Sequence, residues 1–160
     1  MRSGYVSWQV NVNALNSSVI FSLVYISREA APMTRDAMRE LLGQSRPNNA
    51  SAGITGLLVH KAGYFLQILE GPREPVELLM AKIQKDTRHL DVTILLRTTQ
   101  NERQFGDWSM ALADWPDEDA ATTRAWAELL ETFRSSRGQF SPASGLVDFA
   151  LSLASAGYLE

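Results

Sequence analysis

The sequence predicts an α+β fold in which a sheet carries two helices on one face. Segments rich in β-branched and aromatic residues predict five strands, and segments with apolar residues at helical spacing predict the helices between them. The predicted order is β-α-β-β-α-β followed by one more strand. This order is typical of a ferredoxin-like βαββαβ two-layer sandwich, here with an extra fifth strand and C-terminal helices.

The first predicted strand covers residues 19–27, and both of its faces are largely apolar, which favours a buried central position. Ala31-Pro32 then interrupts the chain, and Thr34 is a suitable N-cap for the first helix. We expect this helix to end near residues 43–46, because Pro47 and the two asparagines that follow it are typical of a turn.

Two further apolar segments, residues 53–60 and 64–70, predict a β-hairpin closed by Lys61-Ala62-Gly63. The second helix is predicted to begin near Pro75, and its apolar residues form a clear amphipathic stripe. That stripe consists of Val76, Leu79, Met80 and Ile83. A polar turn and two more strands are expected at residues 86–91, 92–98 and 108–112.

The chain divides into an N-terminal extension (1–18), a folded domain (19–113) and a helical extension (114–160). The first segment is either a short strand or an unstructured leader. The last contains two predicted helices, at residues 121–133 and 146–153. We expect the apolar stripe of the first of these to pack on the outer face of the sheet, with a second subunit as the alternative. Its members are Trp126, Leu129, Leu130 and Phe133.

Composition excludes several functional classes. The net charge is −3, which argues against general binding to the nucleic-acid backbone. The chain has no cysteine, which excludes disulfides, iron–sulfur clusters, thiol catalysis and cysteine-ligated zinc, and its two histidines predict no metal site. No apolar segment is long enough to cross a membrane and no signal peptide is evident, so we expect a cytoplasmic protein.

A glutamine inside an apolar strand is the most informative feature of the sequence. Phe65 and Leu69 point to one face of the predicted strand, and Leu66 and Ile68 point to the other, so Gln67 is expected to be buried. A buried amide group without a hydrogen-bond partner costs about 1–3 kcal/mol. Either Gln67 reaches water at the end of the sheet, or a polar ligand completes its hydrogen bonds.

Tyr25 and Asn48-Asn49 are further polar groups in the same region. Taken alone, the tyrosine is a core aromatic and the asparagines form a turn. The predicted topology, however, places the first strand beside the strand of Gln67, with the asparagines over the same face. A cleft holding a phenol and these amides suits a flat heteroaromatic ring with donors and acceptors on its edge, such as the pyrimidine side of a flavin.

Six segments between residues 20 and 113 occur in a characteristic order and spacing: 23–27, 45–49, 53–58, 65–71, 86–89 and 103–110. Through them the sequence resembles the BLUF domain family of flavin-binding blue-light sensors. The resemblance covers 94 of the 160 residues. It implies a domain that binds FAD, or alternatively FMN, without a covalent bond.

The resemblance also implies roles for individual residues. Tyr25 matches the redox-active tyrosine and Gln67 the switching glutamine. Asn49, with Asn48 beside it, matches the asparagine that holds the carbonyl edge of the flavin, and Ser27 matches a serine that can contact a nearby tryptophan. Trp108 and Met110 match positions near the ring. Lys82 and Asp86 match positions that face the ribityl and phosphate end of the flavin.

The mechanism that the resemblance implies is a light-driven rearrangement of hydrogen bonds. Blue light makes the oxidised flavin a strong one-electron oxidant, and Tyr25 donates an electron and then a proton, which passes through Gln67. After recombination the glutamine has rotated, tautomerised or done both. The C4=O group of the flavin then accepts a stronger hydrogen bond, and the absorption shifts to the red.

We expect a photoreceptor and not an enzyme, because the 47 residues after Ala113 are too few for a cyclase or phosphodiesterase domain. Such a chain signals through its own oligomer or through an unidentified downstream protein. Two rival interpretations are a flavin-dependent enzyme and a chromophore-free adaptor on the same fold. Colour distinguishes them: a photoreceptor is yellow and shifts reversibly in blue light, an enzyme bleaches with a reducing substrate, and an adaptor is colourless.

Overall fold

A computed structural model of the chain describes residues 19–135 and 145–160. The extension predicted for residues 1–18 lies outside this range. The described residues form five strands and four helices. In chain order these are β1 (Ile20–Glu29), α1 (Arg35–Ser51), β2 (Thr55–Lys61), β3 (Tyr64–Gly71), α2 (Arg73–Lys85), β4 (His89–Gln100), β5 (Ala111–Ala113), α3 (Ala120–Ser135) and α4 (Gly145–Ser155).

The strands form a single mixed sheet in the order β4-β1-β3-β2-β5. β1 pairs antiparallel with both β3 and β4, β2 pairs antiparallel with β3, and β5 lies parallel to β2. This arrangement confirms the predicted α+β fold of the ferredoxin-like type with a fifth strand. It also confirms that the first strand lies beside the strand of Gln67, which places the two polar side chains of interest on neighbouring strands.

Each face of the sheet has its own apolar core. On one face, Phe21 and Leu23 pack with Met38 of α1 and Met80 of α2. On the other face, the side chains of β1 that point the opposite way pack with α3 and α4. The principal residues of this second core are Val24, Ile26, Trp126, Leu130 and Phe149. The stripe of α3 therefore packs on the sheet as expected, and the fold has three layers instead of two; the side chain of Phe133 lies outside the described residues.

The β2–β3 hairpin agrees with the sequence, because β2 ends at Lys61 and β3 begins at Tyr64. The two loop residues, Ala62 and Gly63, have φ angles of 53° and 78°. Positive φ at both positions is typical of the two-residue turn whose twist matches that of the flanking strands.

Helix α1 is longer than predicted, since it continues through Pro47 to Ser51. The predicted end at residues 43–46 and the predicted turn at Asn48-Asn49 are wrong. Proline removes one hydrogen bond of the helix, but contacts with the segment before β5 hold its last turn in place. Arg46 Nε donates to the carbonyl of Met110 at 2.9 Å, and Asn49 Nδ2 donates to the carbonyl of Ser109 at 3.0 Å.

The fifth strand begins later than predicted, at Ala111 instead of residue 108. The segment before Ala111 contacts β2 through a backbone hydrogen bond of 3.1 Å from the N–H of Gly56 to the carbonyl of Trp108. The carbonyl of Met110, however, accepts a bond from the Arg46 side chain and is not available to the ladder. Trp108 and Met110 thus lie in a connecting segment and not on a shared strand face.

Candidate functional site

A cleft lies between α1, α2 and the sheet. Its volume is about 760 Å³ including its open mouth, within the usual range for small-molecule sites of roughly 300–1,000 Å³. Half of the amphipathic stripe of α2 lines it, and these two residues are only partly buried at the edge of the core. The apolar walls consist of Met38, Leu41, Leu42, Leu58, Phe65, Leu79 and Ile83.

The floor of the cleft contains a short hydrogen bond between a phenol and an amide. Tyr25 and Gln67 are directly opposite each other in the β1–β3 register, so their side chains share one face of the sheet. The Tyr25 hydroxyl donates to Oε1 of Gln67 at 2.5 Å, and the exposed fractions of the two residues are only 1% and 8%. Burial raises the pKa of Tyr25 far above its usual value, and the Asp86 carboxylate raises it further. The phenol therefore keeps its proton available for donation.

The other end of the Gln67 amide has only a weak partner. Its Nε2 lies 3.2 Å from Sδ of Met110, a buried residue that also lines the cleft. A thioether is a poor acceptor, and an amide nitrogen has two hydrogens to donate. Gln67 therefore retains donor capacity toward a ligand.

The two asparagines have different surroundings. Asn49 is buried, lines the cleft and donates to the carbonyl of Ser109. None of the described residues donates a hydrogen bond to its Oδ1 atom, so Asn49 also keeps a free acceptor. Asn48 is exposed and does not line the cleft. It borders a neighbouring depression, which shares Asn49 and Lys82 with the cleft.

Charged side chains line the cleft near the C-terminal end of α2. Lys82 and Asp86, both predicted from the resemblance, line the cleft together with Arg88. The side-chain hydrogen bond from Arg88 holds the pKa of the Asp86 carboxyl below its usual value. Asp86 is thus ionised and pairs with Arg88. Lys82 lines both the cleft and the neighbouring depression beside Asn48.

Besides Asn48, two further predicted site residues do not line the cleft, namely Trp108 and Ser27. Trp108 is 37% exposed, whereas Met110, two residues later, is buried against Gln67. Ser27 is buried on the same face as Tyr25, but its hydroxyl pairs with Nδ1 of His89 at 2.7 Å and not with a tryptophan. The contact expected from the resemblance is absent because Trp108 lies outside the cleft.

His89 is a cleft residue that the sequence analysis missed, because its pattern places this residue in the polar turn of residues 86–91. It is the first residue of β4 and pairs with Glu29 of β1, which brings its ring beside Tyr25 and Phe65. The position of His89 beside Tyr25 can be inferred only when the register of β1 and β4 is known.

Glu70 and Arg103 were also missed, and they hold the segment that leads to Met110. The Glu70 carboxylate is completely buried and accepts bonds from the backbone N–H groups of Gln104 and Phe105. Arg103 donates to the carbonyls of Gly53 and Glu70. A glutamate inside an apolar strand was the available signal in the sequence.

The cleft fits the isoalloxazine ring of a flavin, which is flat, largely apolar and lined on one edge by donors and acceptors. Its walls are apolar, and Gln67 and Asn49, which retain donor and acceptor capacity, both line it. A family model described as "BLUF: Sensors of blue-light using FAD" matches residues 20–111, more than half of the chain. The chain belongs to the BLUF family. FAD is accordingly its chromophore.

Solved and curated BLUF proteins are similar to the chain. It is 33% identical over 124 residues to the photoactivated adenylate cyclase subunit beta of Euglena gracilis, covering 77% of this chain and 13% of that protein. It matches BlsA in its photo-activated state with a TM-score of 0.66 and 27% identity, over 84% of this chain and 94% of that one. BlrB in the dark state matches with a TM-score of 0.56 and 31% identity, over 60% and 73% of the two chains.

The chain spans about an eighth of the length of the curated cyclase subunits that it matches. In residues 19–135 and 145–160, no group of three histidine, aspartate or glutamate side chains is placed to hold a metal ion. Among the same residues, no helix has the length and apolar character needed to cross a membrane.

Proposed function

We propose that this BLUF chain senses blue light by moving the phenolic proton of Tyr25 to the amide of Gln67, which then changes its hydrogen bonds. The observation that carries the proposal is the 2.5 Å bond between the two groups at a buried position. This bond gives the proton a direct path from the phenol to the amide once the phenol has been oxidised. The functional roles of the individual residues below belong to the same proposal.

The cleft residues divide into a ring-binding set and a polar end. Asn49 and Gln67 bind the edge of the flavin, and Phe65 and Leu79 contribute apolar surface on the sheet and helix sides. Lys82 is placed to attract a phosphate, because it lines both the cleft and the depression beside Asn48. FMN and FAD share the ring and the first phosphate, so FMN can occupy the same site.

The bound flavin supplies absorption of blue light and, once excited, a strong one-electron oxidant. Tyr25 then loses one electron, which lowers the pKa of its phenol and releases the proton. Oε1 of Gln67 accepts that proton through the existing bond. After the electron and proton have returned to Tyr25, a Gln67 amide that is rotated, tautomerised or both would present different donors to the carbonyl edge of the bound flavin.

The output route begins at Met110. A change in the Gln67 amide alters its contact with this side chain, whose backbone leads directly into β5. The outer edge of β5 pairs with residues 158–160, which follow α4, through a backbone bond of 2.8 Å from Leu112 to Glu160. We propose that the signal passes along this route to a second copy of the chain or to a downstream protein in the cytoplasm, and that the domain of residues 19–113 is a sensor and not an enzyme.

The test is the absorption spectrum of the purified chain with FAD, before and after blue light and during dark recovery. The proposal predicts a reversible red shift, its loss in Tyr25→Phe and Gln67→Leu, and its retention in Tyr64→Phe. Tyr64 is a suitable control because its hydroxyl accepts hydrogen bonds from Arg134 on the other face of the sheet. A normal red shift in either cleft variant contradicts the proposal, as does bleaching by a reducing substrate or failure to bind flavin.

A further inference from the structure

We propose that His89 is a positioning residue for the photochemistry of Tyr25, and that electron donation by the tyrosine requires His89 to be neutral. This inference rests on the proposed function and assigns pH control to the same site. It follows from how tightly the imidazole is held beside the phenol.

Three contacts fix the ring of His89. Its Nδ1 atom pairs with the Ser27 hydroxyl at 2.7 Å, and Ser27 is only 2% exposed. The imidazole meets Tyr25 edge-on, with 6.0 Å between ring centroids and 71° between the ring planes. It also lies against Phe65, with 4.7 Å between the centroids. These contacts with β1 and β3 hold the imidazole close to Tyr25.

The charges around His89 determine what its protonation does. From the connection between α2 and β4, Asp86 favours the charged imidazole and Arg88 opposes it, while Lys82 of α2 lines the same cleft. From the sheet, the ring contacts the neutral side chains of Tyr25, Ser27 and Phe65. Glu29, the β1 residue that pairs with His89, directs its carboxylate to Nε2 of His60 at 2.8 Å. Burial dominates and lowers the pKa of His89 below its usual value. The ring is therefore neutral at pH 7.

A protonated His89 opposes the first step of the photocycle. Tyr25 gives one electron to the excited flavin, and positive charge develops on the phenol until its proton reaches Gln67. An imidazolium ion close to Tyr25 raises the energy of that positive charge, because the intervening groups are poorly polarisable. Acidification thus reduces the yield of the red-shifted state without removing any contact that binds the ring.

The chain contains two histidines, which provides a matched control. His60 stacks on Phe65 but does not line the cleft, and its Nε2 pairs with Glu29. The experiment measures the quantum yield of the red shift between pH 8 and pH 5 in the wild type, His89→Gln and His60→Gln, each saturated with FAD. We expect the yield of the wild type and of His60→Gln to fall at least threefold, with a midpoint below pH 6.5, and that of His89→Gln to stay constant.

A second measurement keeps the proposal testable if His89→Gln does not fold. NMR titration of the wild-type imidazole resonances, assigned with His60→Gln, gives the midpoint of each histidine. The optical midpoint must coincide with that of His89. A midpoint that follows His60 or neither ring, or an unchanged pH profile in His89→Gln, overturns the inference and leaves the Tyr25–Gln67 switch intact. The absence of any red shift at pH 8 overturns the proposed function itself.

Discussion

Nε2 of Gln67 lies 3.2 Å from the sulfur of Met110, while Oε1 of the same amide accepts the hydrogen bond of Tyr25. One side chain therefore joins the phenol of β1 to the segment that precedes β5. Rotation of the amide exchanges the atoms that face both partners, since the carbonyl end cannot donate to sulfur. In the proposed mechanism, Met110 is therefore the first residue outside the Tyr25–Gln67 pair whose contact changes.

Replacement of Met110 by leucine tests this coupling. Leucine keeps most of the volume of the side chain but removes the acceptor for Gln67 Nε2, so the amide orientation seen here loses part of its stabilisation. We expect Met110→Leu to bind FAD, to retain the red shift and to recover at least threefold more slowly in the dark. Met38→Leu is the control, because Met38 is also buried in the cleft wall but forms no bond with Gln67. Equal recovery rates in the two variants would show that the sulfur contact does not influence the switch.

Alanine substitutions at the two adjacent asparagines are expected to change flavin affinity by different amounts. Asn49 is buried in the cleft with an unused acceptor, whereas Asn48 is exposed beside it. Loss of a hydrogen bond at a buried site costs about 1–1.5 kcal/mol, or roughly a tenfold change in affinity. We therefore expect Asn49→Ala to raise the Kd for FAD about tenfold and Asn48→Ala to raise it less than twofold, as measured by fluorescence titration. The reverse order would mean that the exposed asparagine is the one that holds the flavin.

Alanine substitutions at two glycines are expected to change the free energy of unfolding in opposite directions. A Cβ atom at Gly56 would lie 1.9 Å from the carbonyl oxygen of Ile68 and 3.3 Å from Cε of Met110, so β2 and β3 must separate. We expect Gly56→Ala to lower the free energy of unfolding in urea by at least about 2 kcal/mol. Gly43 has open space around it in the interior of α1, and Gly43→Ala should raise that free energy by about 0.5–1 kcal/mol. A neutral effect of Gly56→Ala would contradict the close approach of these strands.

Burial of Tyr25 predicts a specific loss of stability at high pH. Because its pKa is raised in the folded chain, the unfolded chain ionises first, and the stabilising contribution is complete below pH 10. Above pH 10 this contribution falls by up to about 1.4 kcal/mol per pH unit. We expect the free energy of unfolding of Tyr25→Phe to decline less steeply than that of the wild type between pH 10 and 11, with Tyr64→Phe as the control. Parallel curves for all three proteins would show that Tyr25 ionises freely in the folded state.

The pairing of Tyr25 with Gln67 was predictable because both residues lie in long apolar strands that the topology makes neighbours. The β2–β3 hairpin was predictable for a similar reason, since Lys61-Ala62-Gly63 is a local signal. The extension of α1 beyond Pro47 was not, because its C-terminal part depends on bonds to carbonyls 60 and 64 residues away in the sequence, at Ser109 and Met110. Local propensity describes an isolated segment, and these carbonyls become available only after the sheet has formed.

Other parts of the site depend on the register of distant strands. His89 enters the cleft because β4 extends to that residue and pairs with β1, which the pattern of residues 92–98 did not indicate. The positions of Trp108 and Met110 depend on the anchoring of their segment by Glu70 and Arg103, and no periodicity in the sequence encodes that anchoring. The sequence thus identified most of the cleft-lining polar groups but not the contacts that orient them.

The most direct test of the central claim is the light-minus-dark infrared difference spectrum of the chain with bound FAD, recorded for the wild type and for Gln67→Leu. If the Gln67 amide is the group that light rearranges, the wild type shows a reversible shift of the flavin C4=O stretch to lower frequency, and Gln67→Leu with the same flavin content shows none. The same carbonyl shift in Gln67→Leu would mean that another group changes its bond to the flavin, and would contradict the account.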